Sequence, residues 1–237
     1  MALLGNLLWD RRERAEALEL YRIAASVSEK DEGFARTYFW SARFLHQTQT
    51  AQKWLEDRLA RFGKRSALPG RTLAWAYEQL DQTPRALELL ETTAQQHTDD
   101  GEMQCHVALT LGRYNQPEKS AEYLAAAKGK CAESTFTRTA AMIANIQGQL
   151  ATARDLFLDV YQRDPLDVSA LEYIVSLDMD LDGLEVAEQR IRDAVANLPH
   201  SYSQRVQLIQ WLRSNRLEAA KSEIDRFLVD FTQDAWG

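Results

Sequence analysis

Cysteine, glycine and proline are all scarce in this 237-residue chain, and each shortage closes off a class of protein. The two cysteines, Cys105 and Cys131, are too few for a disulfide framework and lack metal-ligand spacing. Ten glycines and five prolines suit a mostly helical chain, and nothing in the composition suggests disorder. His46, His97, His106 and His200 are scattered, with no second histidine at helical spacing. His97, beside Asp99 and Asp100, reads as a polar loop. There is no glycine-rich phosphate motif and no nucleophile beside a base, so no catalytic residue, cofactor or metal is expected. The acidic run Asp178-Met179-Asp180-Leu181-Asp182 lacks the glycine and terminal glutamate of a calcium loop and reads as a solvated turn. No apolar run approaches the roughly 18 residues of a membrane span, so no membrane insertion is expected within this segment. The start MALLGNLLWDRRER lacks the features of a signal peptide, and a signal, if the parent has one, would lie elsewhere. A net charge of -7 argues against a nucleic-acid partner.

What the chain does have is a period. A small residue followed four places later by a large apolar one recurs as Ala17/Tyr21, Ala51/Leu55, Ala86/Leu90, Ser120/Leu124, Ala153/Phe157, Ala187/Ile191 and Ala220/Ile224. Successive first members are 34, 35, 34, 33, 34 and 33 residues apart. A small side chain lets two helices approach, and the large one a turn later fills the groove beside the contact. Twelve residues before each small residue stands a second small or apolar position: Gly5, Phe39, Ala74, Ala108, Ala141, Val175 and Leu208. Turn-like stretches such as Asp81-Gln82-Thr83-Pro84, Asn115-Gln116-Pro117 and Gln147-Gly148-Gln149 lie between them, so each unit reads as a helical hairpin. Pro165 and Pro199 fall where the second helix closes.

This pattern resembles the tetratricopeptide repeat (TPR) family, most closely at Gly148, Ala153, Phe157 and Pro165, and in the opening unit at Gly5, Ala17, Tyr21 and Ala24. Arg58 and Phe227 depart from it where a later small residue is usual, and Phe39 where an early one is. The resemblance implies an all-α, right-handed α-solenoid of about seven repeats forming a single array over residues 1–237. The expected repeats are 1–32, 33–66, 67–100, 101–133, 134–167, 168–200 and 201–233, with 234–237, carrying Trp236, opening an eighth. Both ends cut the pattern in mid-unit, so a fragment of a longer array is expected.

In this family the first helix of each hairpin lines the concave face. Fifteen residues before each marker lie Ala2, Arg36, Arg71, Cys105, Arg138, Glu172 and Arg205, and one turn further on lie Asn6, Trp40, Trp75, Leu109, Met142, Ser176 and Ile209. Arg36/Trp40 and Arg71/Trp75 therefore read as matching pairs in adjacent repeats. Arginine suits bidentate contact with a carboxylate and tryptophan offers a rigid apolar face. Arg36, Trp40, Arg71, Trp75, Arg138 and Arg205 are accordingly the candidate partner-binding residues, for a protein presenting an acidic or amphipathic segment. The family's chaperone-tail clamp is not expected, since Ala2 and Leu68 stand where basic residues should. Cys105 shares the register of the arginines, so its side chain is expected to point away from the second helix and both thiols to be unbonded.

The function expected is a non-catalytic interaction scaffold belonging to a larger bacterial assembly or export protein. Its long array resembles the periplasmic repeat regions of exopolysaccharide-export proteins, which places it in the periplasm in preference to the cytoplasm. The alternative is a regulatory array of a multidomain enzyme whose catalytic domain lies outside this chain. RNA binding by the related 35-residue repeats is disfavoured by the acidic balance.

Overall fold

The structure, a computed structural model, describes residues 2–27 and 32–231. The expected opening of a further unit at 234–237 lies outside the described residues. Every regular element described is an α-helix, and the helices follow one another as hairpins. They are α1 (Ala2–Asp10) with α2 (Arg14–Val27), α3 (Glu32–Phe44) with α4 (Thr48–Phe62), α5 (Leu68–Glu78) with α6 (Thr83–Gln96), and α7 (Gly101–Arg113) with α8 (Pro117–Ala127). There follow α9 (Glu133–Ile146) with α10 (Leu150–Arg163), α11 (Val168–Asp182) with α12 (Leu184–Asn197), and α13 (Tyr202–Asn215) with α14 (Leu217–Asp230). The chain is an all-α helical-repeat solenoid that divides into two compact units, Met1–Cys131 and Ala132–Gly237. Within each unit a helix packs on the next in sequence, and α3 also touches α5 while α11 touches α13, so that first helices lie side by side.

The periodic small residues sit where helices meet. Ala17, Ala51, Ala86, Ser120, Ala153, Ala187 and Ala220 are all buried, as are Phe39, Ala74, Ala108, Ala141, Val175 and Leu208 in the preceding helices. Ser120 is tolerated in this column because its hydroxyl donates to Ala108 O at 2.7 Å. At Gly5 a Cβ would come within 2.7 Å of the Tyr21 ring, which explains why the first helix of that hairpin carries no side chain there. Of the large partners, Tyr21, Leu55, Leu90, Phe157 and Ile191 are fully enclosed.

Five of the seven hairpin turns among the described residues use one backbone device. Arg12, His46, Asp81, Asn115 and Gly148 all take positive φ, between 56° and 73°. The next residue then returns its N–H to a carbonyl five residues back: Glu13 to Leu8, Gln47 to Ala42, Gln82 to Tyr77, Gln116 to Leu111 and Gln149 to Ala144. This is the Schellman termination, in which one left-handed residue reverses the chain and satisfies an orphan carbonyl. Only one of these five is glycine, so four turns carry the steric cost of a Cβ in the left-handed region.

The departures from the repeat pattern are accommodated by polar pairing and aromatic packing. Arg58 is buried, donates to Ala25 O and to Glu32 Oε1 at 2.8 Å each, and lies over the Trp54 and Phe62 rings. Phe227 is enclosed by Tyr202 and Phe231. The acidic run is not a solvated turn throughout: Asp178 is fully buried and is held by Arg154 and Arg190, the latter at 2.8 Å. It lies on the inner face of α11, where a carboxylate persists only because two guanidinium groups neutralise it. Cys105 also differs from expectation. Its sulfur faces Cys131 across 3.7 Å, unbonded, because the chain after α8 folds back onto the start of α7. Gly101 permits that approach, since a Cβ there would come within 2.4 Å of the Lys130 carbonyl carbon.

Candidate partner-binding groove

In the first unit α3 and α5 lie side by side and carry four of the six candidate residues. The aromatic part is a cluster: Trp40 and Trp75 meet edge to face with centroids 5.9 Å apart, and Phe39 lies 5.5 Å beneath Trp75. Trp75 is half-buried, whereas Trp40 remains 46% exposed, an apolar face left open to solvent. The arginines do not pair with the tryptophan of their own helix. Arg36 crosses to the neighbouring helix and lies 5.1 Å above the Trp75 ring, while Trp40 is flanked by Arg43 at 5.1 Å. Adjacent first helices are close enough for a long side chain to span them, which an alignment of each helix with itself cannot reveal.

Electrostatically this end of the groove is under strain. Arg36 and Arg71 each bury an Nε with no hydrogen-bond partner. Burial lowers the Arg71 pKa below the ordinary guanidinium range, and the like charge of Arg36 lowers it further, with Asp100 and Glu102 opposing. His106 on α7 is pushed down to about 4, first by burial and then by Arg71, Arg36 and Arg113. At neutral pH the ring is therefore uncharged beside two arginines. Sequence reading passed over His106 because it stands one place beyond the arginine register on α7, although Arg36, Arg71 and His106 are each 35 residues apart.

The remaining two candidates are closed within the second unit. Arg138 pairs with Asp167, which also caps α11 by accepting from Ala170 N at 3.0 Å. Arg205 is buried and paired with Asp230 and with Glu223 at 3.6 Å. That unit has an opening of its own between α11 and α13, about 340 Å³, lined among others by Glu172, Met179, Gln207 and Trp211. Glu172 and Ser176 of the first-helix register border it; Trp211 lay outside that register and was not singled out.

No protein-family model matches the sequence, and no curated protein matches it. Solved structures do. The C-terminal part of a TPR repeat-containing protein from Cytophaga hutchinsonii aligns over 99% of this chain and 97% of its own, with TM-score 0.52 and 11% identity. The fold is that of the TPR solenoids. PilW, a widely conserved type IV pilus biogenesis factor, is similar over 86% of this chain and 95% of its own, with TM-score 0.56 and 16% identity. Human IFIT1, solved as a dimer with m7Gppp-AAAA, is similar over 96% of this chain and 67% of its own, with TM-score 0.51 and 14% identity. Within this TPR fold, among the described residues no helix is long and apolar enough to cross a membrane.

Proposed function

We propose that the chain is a non-catalytic protein-binding scaffold whose first unit takes a partner segment along α3 and α5 through Arg36, Trp40, Arg71 and Trp75. The observation that carries this reading is the exposed Trp40 face joined edge to face to Trp75, with Arg36 laid over the second ring. A tryptophan cluster bordered by arginines combines the two residue types most often found at binding hot spots. The partner segment is amphipathic, with an apolar side chain on Trp40 and acidic groups toward the arginines. Arg138 and Arg205 take no part, since their charges are matched within their own unit.

The larger setting is a bacterial assembly or export protein acting in the periplasm. The likeness to a pilus biogenesis factor favours an assembly role at the level of fold only. The test is parallel affinity capture from the native cell with four baits: the wild-type chain, Trp40→Ala, Arg36→Glu and, as a control on an exposed helix, Lys221→Ala. Proteins retained by wild type and Lys221→Ala but lost with the other two support the reading; identical recoveries with all four overturn it. Recovery of RNA in place of protein, lost with Arg36→Glu, would replace it with a nucleic-acid function.

A further inference from the structure

The sheltered arginines of this protein are closed on carboxylates almost everywhere. Arg58 meets Glu32, Arg138 meets Asp167, Arg154 and Arg190 meet Asp178, and Arg205 meets Asp230. Arg36 and Arg71 are the contrast: among the described residues neither makes an ion pair, and each buries an Nε without a hydrogen-bond partner, as Arg14 and Arg205 also do. Burial and the like charge of Arg36 together lower the pKa of Arg71. A buried donor left unmade costs stability, and so does a like charge beside it. Two such groups on adjacent helices, with the His106 ring of α7 within reach of both charges, are what an anion site looks like before its anion arrives.

We propose that Arg36, Arg71 and His106 form a receptor for one oxyanion, a carboxylate or phosphate borne by the bound partner segment, seated beside the Trp75 ring. This rests on the groove reading above and assigns the chemistry of its charged end. Guanidinium groups from α3 and α5 donate to the anion's oxygens, and the His106 ring on α7 supplies a further donor. The charges acting on that ring are Arg71 of α5, Arg36 of α3 and Arg113 of α7 itself, with none acting on it from α6 or α8, which also pack against α7, among the described residues. Asp100 and Glu102, at the start of α7, oppose the lowering of the Arg71 pKa. An anion placed between the arginines offsets the positive field that, added to burial, keeps the ring neutral, so anion binding and proton uptake by His106 are coupled.

The experiment follows the His106 ring by NMR titration from pH 3.5 to 8 in the whole chain, at constant ionic strength set with chloride. Inorganic phosphate and acetate are the two probes, applied to wild type, Arg71→Met and Arg36→Met. The expected result is a saturable rise of the His106 midpoint by about one pH unit, the size an opposite charge at contact distance produces, with the rise absent in both variants. A rise with phosphate alone assigns a phosphorylated partner, and a rise with acetate alone or with both assigns an acidic one. Midpoints unmoved by either probe in wild type overturn the receptor. Equal rises in wild type and both variants do so as well. Capture that depends on Trp40 while His106 stays unmoved leaves the groove standing and removes only the receptor; a rise without Trp40-dependent capture does the reverse.

Discussion

Replacing His106 with Gln should make the protein less sensitive to acid, and the size of the change can be worked out. The folded ring has a pKa of about 4, against 6.5 for the group before folding. Because the folded ring holds its proton less tightly, the unfolded chain takes one up first as pH falls. The stabilisation is therefore complete above pH 6.5 and is lost as pH falls toward 4. At about 1.4 kcal/mol for each pH unit, the whole descent costs roughly 3 kcal/mol, and solvent screening of a ring that is only partly enclosed reduces this to roughly 1–2 kcal/mol. Urea unfolding at pH 7 and pH 4.5, for wild type and His106→Gln, isolates the term, since the carboxylates contribute equally to both. The wild type should lose more stability on acidification than the variant by that amount. An Arg71→Met variant should fall between them, because one of the charges that depress the ring has gone. Parallel losses in wild type and His106→Gln would refute the claim that burial, with Arg71, Arg36 and Arg113, holds this ring neutral.

Three further outcomes test the packing. Arg58→Ala strands the Glu32 carboxylate, whose Oε2 already lacks a partner, and should cost about 3–5 kcal/mol by chemical denaturation, part of which a second change, Glu32→Gln, should restore. His46→Gly removes a Cβ from a left-handed turn residue and should stabilise by roughly 0.5–1 kcal/mol, whereas the same change at an exposed helical residue such as Lys53 should destabilise. Cys105 and Cys131 should convert to an intramolecular disulfide on exposure to oxidised glutathione, read as the loss of both titratable thiols, and a mixture of glutathione adducts alone would contradict their facing geometry.

The fold was legible because helix packing writes itself into the sequence. A close helix contact tolerates little more than Ala, Ser or Gly, so Ala17 through Ala220 repeat visibly, and every one of them lies at such a contact. The turns were less legible although five of the seven repeat one conformation. What recurs there is a positive φ, and Arg12, His46 and Asp81 share a conformation without sharing a side chain. At the groove, register alone placed Arg36 and Trp40 on one face, but it could not say that Arg36 would reach over to Trp75. The same register put Arg138 and Arg205 beside them in kind and missed Asp167, Glu223 and Asp230, which arrive from a capping position and from the neighbouring helix. Charge partners across helices leave no trace in spacing along one helix. The register also pointed Cys105 away from Cys131, because their approach depends on how tightly the chain after α8 returns to Gly101.

The most direct test of the groove is the dissociation constant, by calorimetry, of the captured partner for wild type and for Trp40→Ala. Trp40 is 46% exposed, so its removal can be checked to leave the melting temperature within a few degrees, which separates lost contact from lost fold. A desolvated hot spot should lose on the order of 2 kcal/mol, about thirtyfold in affinity. An unchanged dissociation constant in a folded Trp40→Ala variant would contradict the assignment of this groove as the binding surface.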